Sequence, residues 1–435
     1  MAEAPTVQLN PPELRTTAVP DDFHMRPVDG QGVPADVLHQ KPGARIAQAP
    51  LAAQVSSDAP EAPPPVEVDF VAGSLGVLEQ FVGKFEGNGF NQIFRPNPAF
   101  QAGSNTLLET ILELNVTSET LTFMDANILG SIPNRGFDNQ PSVMLKGVPY
   151  TQMVGDLVNE PAGKANRKQP ISIHFEQGLF LRTPATNNPK VDATIARLAS
   201  IPHGATINAQ CLEPTKPITG PPSIPPVSIL PPGSGKIFEN PLLRVPPNIQ
   251  AFRDSGAIPL ATEQNPNKIL ADNNQKRNIK SHFTFTVSTT GSDSLPGGGT
   301  SNIAFLMGQK FTGDKQGKMG SAVVANMTCT YWVSTVLSDV LIPKGDYDKK
   351  PETKVLTPEE AKTGLAVPLF SVSLNRKVSA DTKIAMPWTQ IQYSQNVSLD
   401  FARLRWPHVS VATLIPAKDQ HLVVAADSPL LSTLT

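Results

Sequence analysis

From about Phe70 onward the chain is dominated by short runs in which apolar and polar residues alternate. That is the period-two pattern of strands with one buried face. Ile171-Ser172-Ile173-His174-Phe175-Glu176 is such a run, followed after Gly178 by Leu179-Phe180-Leu181-Arg182. Others are Thr110 to Val116, Thr120 to Phe123, Ala193 to Ala199, Ala205 to Cys211, and His282 to Val287. Further runs are Ile303 to Met307, Ser321 to Leu337, Thr389 to Leu399 and His408 to Ile415. Turn signals such as Pro202-His203-Gly204 and Pro296-Gly297-Gly298-Gly299 separate them. Helical spacing is scarce. Leu75 to Phe81 predicts one or two turns with Leu75, Leu78 and Val82 on one side. Thr357-Pro358-Glu359-Glu360 predicts a short helix capped by Thr357, with Pro358 at its first position.

About ten strands in a hairpin meander, with no repeat of fixed period, predict an all-β protein. The expected architecture is a closed antiparallel calycin-like β-barrel, because closure removes exposed sheet edges. Residues 1–69, rich in Pro, Ala and Asp, predict an extended N-terminal arm, lying on the barrel, on a neighbouring subunit as a homo-oligomer contact, or free. Residues 70–420 form the expected single barrel domain. Its insertion at 212–280 carries too many prolines for a central strand or a long helix. Residues 421–435 are left as a C-terminal tail.

Composition narrows the function classes. A net charge of −2 lacks the basic excess that nucleic acid or an anionic membrane surface would attract. No apolar run approaches the ~20 residues of a transmembrane helix, and the first ten residues do not read as a signal peptide. A soluble, cytoplasmic protein is expected, whose three Asn-x-Ser/Thr triplets (at Asn115, Asn326 and Asn396) then carry no sugar. Two cysteines, Cys211 and Cys329, are too few for a disulfide framework; they read as reduced thiols in strands, with a single bridge as the alternative. No zinc spacing, P-loop, Gly-x-Ser-x-Gly or dinucleotide fingerprint is present.

A series of short motifs is more specific by its order. Phe81-Val82-Gly83-Lys84-Phe85-Glu86-Gly87-Asn88-Gly89-Phe90 places an aromatic among spaced glycines, as at a barrel corner. Gly147 to Gln152, His174 to Arg182 with its Glu176-x-Gly178, and Ala199 to Gly204 follow. Ile391-Gln392-Tyr393 and Pro407-His408 before an alternating apolar segment close the series. This order resembles nitrobindin, a haem-binding β-barrel of the calycin and fatty-acid-binding-protein group, over roughly residues 78–211 and 389–416. The chain departs from it in its length, in about 180 residues inserted between the matching blocks, and in having Phe85 where the family has Trp.

The resemblance implies haem as cofactor, with His408 as its axial iron ligand. Ser410, Ala412 and Leu414 share the His408 face and leave room for a flat group. Trp406 is then a candidate to pack on the porphyrin edge, Phe85 to plug one end of the lumen, and His203 to stand at the mouth as a distal group. The alternative for His408 is a rim residue bonded to backbone; for His203, an exposed turn residue. Arg182 and Arg95 are candidate partners for propionates or a fatty-acid carboxylate, or ordinary ion pairs. Tyr393 and Tyr331 are candidate ligand hydrogen-bonders, or core residues. His174 and Glu176, two apart on one strand, hold a proton or metal, or form a solvated face. Three functions follow: haem binding with peroxidase-like or reactive-nitrogen chemistry, non-catalytic carriage of a fatty acid or other small apolar ligand, and a structural or assembly role.

Overall fold

The chain divides at Phe70/Val71, and the second unit, Val71–Thr435, contains the described fold. The computed structural model describes residues 71–96, 110–124, 131–136, 139–157, 170–201, 203–230, 254, 262, 264–292, 295–306, 322–401 and 404–434. The expected arm at 1–69, and residues 231–253 of the expected insertion, lie outside these.

Ten strands make the barrel. They are β1 (Gly83–Pro96), β2 (Thr110–Phe123), β3 (Val143–Asp156), β4 (Ile171–Thr183) and β5 (Thr194–Ile201). β6 (Ala205–Leu212), β7 (Asn278–Ser288), β8 (Val323–Ile342), β9 (Thr382–Phe401) and β10 (Leu404–Pro416) complete it. Each strand pairs antiparallel with its neighbours in sequence, and β10 returns to β1 from Phe85↔Pro416 to Ile93↔His408. The result is a closed, ten-stranded, all-β meander, as the alternation predicts. Its narrowest seam joins β6 to β7 through the single pair Ser288↔Gln210, with the short strand Thr300–Asn302 taking up the other end of β6.

One end of the lumen is solid. The turn predicted at 75–81 is a 3₁₀ helix, Gly76–Phe81, which buries Val77, Leu78 and Phe81 while Val82 faces out. Phe81 sits edge-on to Phe123, with ring centres 4.9 Å apart, and also meets Phe180 at 5.5 Å. Phe85, Leu121, Tyr150, Phe285 and Tyr331 fill the same layer.

Two further clusters lie outside the lumen. β8 and β9 run on beyond the barrel, and their Val340, Ile342, Ile384 and Trp388 pack with the small sheet of Glu352–Leu356, Phe370–Leu374 and Leu422–Val424. Residues 421–434 are therefore built into this cluster rather than trailing as a tail: Leu422–Val424 pairs parallel with Phe370–Leu374, and Leu431 and Leu434 are buried. The third cluster packs Ile229, with Leu270 of helix α1 (Asn267–Asn274), on Phe90, Leu114, Trp332 and Val411. The described part of the Pro-rich insertion thus covers part of the barrel's outer face. The helix expected at Thr357 is a 3₁₀ turn, Glu359–Thr363, with no side-chain cap. Both cysteines are free, and burial raises their thiols to about 12 for Cys211 and about 11 for Cys329.

A half-hollow lumen as candidate functional site

Above the aromatic floor the lumen is a cavity of about 390 Å³. Strand alternation decides what faces it. Along β2, Thr117, Glu119, Leu121 and Phe123 are buried on one face, and the face runs from polar cavity lining to apolar floor. Along β9, Val397, Gln395 and Tyr393 line the cavity before Ile391 joins the floor. Along β10, His408 and Ser410 line it before Ala412 and Leu414 join the floor. An extra residue in β4 lies between the pairs Val154↔His174 and Gly155↔Ser172, so Ile173 and His174 both reach the cavity.

Two buried polar networks separate floor from cavity. In the first, Tyr393 Oη donates to Glu119 Oε2 at 2.6 Å, Gln152 Nε2 donates to the same oxygen at 3.3 Å, and Thr117 Oγ1 donates to Oε1 at 2.9 Å. Burial raises the Glu119 carboxyl above its ordinary range, and these three donors hold part of that rise back. Gly89 makes the seat: a Cβ there would stand 2.5 Å from Glu119 Oε1 and 2.7 Å from Thr117 Oγ1.

In the second network, Arg197 Nη2 donates to Glu176 Oε1 at 2.6 Å, Nε to Tyr150 Oη at 2.9 Å, and Nη1 to Gln395 Oε1 at 2.7 Å. Tyr150 also donates to Glu176, and His174 Nε2 lies 3.3 Å from Glu176 Oε2. Burial pushes the Glu176 carboxyl up, but the Arg197 charge and the bonds from His174 and Tyr150 outweigh it and bring it down to about 2. Gly178 leaves room for the Tyr150 ring, which a Cβ would approach to 2.6 Å.

Three imidazoles face this space. His408 Nε2 is 2.6 Å from Asn91 Oδ1, which Ser410 also donates to at 3.3 Å. Burial, with repulsion from His174 and His203, lowers His408 to about 4, so it is neutral at pH 7. His203 stacks on His174 with ring centres 5.3 Å apart, and burial followed by the His174 charge lowers it too. Ile93, Val154, Ile201, Leu306, Val324 and Leu399 supply apolar wall.

The candidates read from the sequence separate accordingly. His408, His203, His174 and Tyr393 come together at the cavity. His203 is both a turn residue and a wall of the cavity, exposed on its other side. Glu176 is not on a solvated face; it is fully buried against Arg197. Phe85 and Tyr331 belong to the solid floor. Arg182 is drawn away because β4 has passed the floor before reaching it: its guanidinium grips Glu213 at 2.6 to 2.9 Å and Ser74 Oγ at 3.0 Å. Glu213 in turn accepts from the Val77 amide, so Arg182 fastens the 3₁₀ plug and meets no ligand carboxylate. Trp406 is buried in the outer cluster, where the covering insertion gives an indole apolar contact, and does not line the cavity. The Arg95 side chain lies outside the described residues. Glu119, Arg197, Asn91 and Gln395 were not singled out from the sequence. Parity was the available signal for two of them: Arg197 shares a face with Ile195 and Ala199, Glu119 with Leu121 and Phe123.

No known family model matches the chain, and no curated protein matches it. Among solved structures it is similar to Rv2717c from M. tuberculosis at 8% identity, with 79% of this chain and 96% of that chain covered and a TM-score of 0.28. A score this low supports neither a shared fold nor a shared function. Among the described residues no group of three His, Cys, Asp or Glu is placed to hold a metal ion, and no helix is long and apolar enough to cross a membrane.

Proposed function

We propose that the protein is a non-catalytic carrier that takes one small, mainly apolar ligand into the upper half of its barrel. The single observation that carries this is the cavity of about 390 Å³. Its size falls in the usual range of ligand sites, and it combines apolar walls with a few convergent polar groups. An aromatic floor closes it below, so a ligand enters by way of the rim that bears His203 and Leu306.

Haem is the second reading, and one observation favours it: His408 offers the cavity a neutral imidazole, the form that ligates iron. The remaining residues fit haem poorly. The His408 Nε2 is already engaged by Asn91, and none of the described residues lining the cavity is a Lys or Arg that would meet a propionate.

Titration of the full chain with the neutral dye Nile red tests the carrier reading, with Ser410→Trp as the variant that fills the lumen. Saturable binding that Ser410→Trp abolishes is expected. Unchanged binding in that variant would move the site elsewhere. An intense Soret band on adding haem, lost in His408→Ala, would replace the carrier reading with the haem reading.

A further inference from the structure

We propose that the ligand enters polar end first and that this end is a non-anionic hydrogen-bond donor, a hydroxyl or an amine. The inference rests on the carrier reading and adds the chemical class of the ligand. The cavity is layered. Its inner end is the polar shelf of Glu119, Gln152, Tyr393 and Gln395, and farther out apolar Ile93, Val154, Val397 and Leu399 share the wall with Glu113 and His408. A ligand that goes in polar end first sets that end on the shelf and its apolar body against Ile93, Val154, Val397 and Leu399.

The shelf centres on a carboxyl group, Glu119, whose neighbours Tyr393 and Gln152 already donate to it. Two carboxyl groups, Glu113 and Glu119, line the cavity, and no Lys or Arg among the described residues does. Among the described residues the guanidinium at this depth is that of Arg197, which is 2% exposed and spends its donors on Glu176, Tyr150 and Gln395. It therefore offers no fork to an incoming carboxylate, which is how Arg recognises that group. Burial lowers His408 and His203, and the third imidazole of the lining, His174, has its Nε2 3.3 Å from Glu176 Oε2, committed to that carboxylate. As a carboxylate Glu119 repels an anion in a low-dielectric space, and it already takes the Thr117, Gln152 and Tyr393 donors, which are therefore committed before a ligand carboxylate arrives. A hydroxyl or ammonium group can instead donate to Glu119 or to the Gln395 carbonyl.

The test uses three probes of equal chain length, decanol, decylamine and decanoate, competing with Nile red on the full chain at pH 7.5. Decanol or decylamine should displace the dye, and decanoate should be weaker by about 100-fold, since like charges brought together in a site cost several kcal/mol and each 1.4 is tenfold. The stronger of the first two identifies hydroxyl or amine. Glu119→Gln should narrow the gap between decanoate and decanol at least about tenfold, and Glu113→Gln provides the same comparison if the first variant does not fold. Decanoate competing as well as decanol, or a gap unmoved by both variants, would overturn the head-group assignment while leaving the carrier reading intact. Failure of Nile red itself to bind would remove the carrier reading and this inference together.

Discussion

Replacing Arg197 with Met should cost about 3–5 kcal/mol of stability at pH 7, and the cost should shrink in acid. The substitution removes a guanidinium that is 2% exposed, lies 2.6 Å from Glu176, and also bonds Tyr150 and Gln395. Glu176 is then a fully buried carboxylate without its cation, and breaking such a pair from one side typically costs that much. The pH dependence gives the sharper signature. In the wild type the Glu176 carboxyl titrates at about 2 rather than 4.5. A depressed folded-state value contributes stability above the unfolded value and loses it as pH falls through the folded one. The difference is worth about 3 kcal/mol, present near pH 6 and withdrawn between about pH 5 and 2. In Arg197→Met the Arg197 charge is gone and burial is opposed only by His174 and Tyr150, so the Glu176 value rises and protonation on lowering the pH costs the folded state less than in the wild type. The stability gap between the two proteins should therefore close substantially between pH 7 and pH 3.5. Urea unfolding followed by the fluorescence of Trp332, Trp388 and Trp406 at both pH values measures it. A gap below 1 kcal/mol at pH 7, or one that does not change with pH, would refute the reasoning. The double variant Arg197→Met/Glu176→Gln should recover part of the loss at pH 7, because it leaves no buried charge unpaired.

Three other outcomes follow from the layering of the lumen. Phe81→Ala removes a fully buried ring from the plug and should destabilise the protein by about 3–5 kcal/mol in the same urea assay. Arg182→Ala should cost about 1–3 kcal/mol by releasing Glu213 and the 3₁₀ helix, yet leave Nile red affinity within about twofold, since the residue is remote from the cavity. The His408 ring should titrate by NMR at about pH 4. Because that lies below the ordinary histidine value, its contribution to stability is present above about pH 6.5 and is lost as pH falls toward 4.

The barrel was legible in the sequence because strand alternation is a local signal: runs such as Ile171–Glu176 and His408–Ile415 declare a face within a few residues. The meander was legible for a related reason, as turns such as Pro202-His203-Gly204 leave no room for a crossover. What failed were readings that needed position along the barrel axis. Arg182 lies on the same strand as the cavity residue His174, but the aromatic floor stands between them. Trp406 precedes His408 by two residues and is nevertheless buried against the covering insertion, a partner from distant sequence that alternation does not reveal. Arg197 and Glu119 were passed over because charge suggests solvent, although their parity with Ile195 and Leu121 points inward. Each is buried because its partner arrives from another strand: Glu176 for Arg197, Tyr393 for Glu119.

Methyl-selective NMR of the full chain titrated with decanol tests most directly whether the upper lumen, and nothing else, receives the ligand. Resonances of Ile93, Val324, Val397 and Leu399 should shift together and saturate, while the floor methyls of Val148 and Ile195 and the outer methyls of Val409 and Val411 stay in place. Shifts confined to outward-facing Met124 and Met153, or no saturable shift at all, would contradict a ligand-receiving lumen.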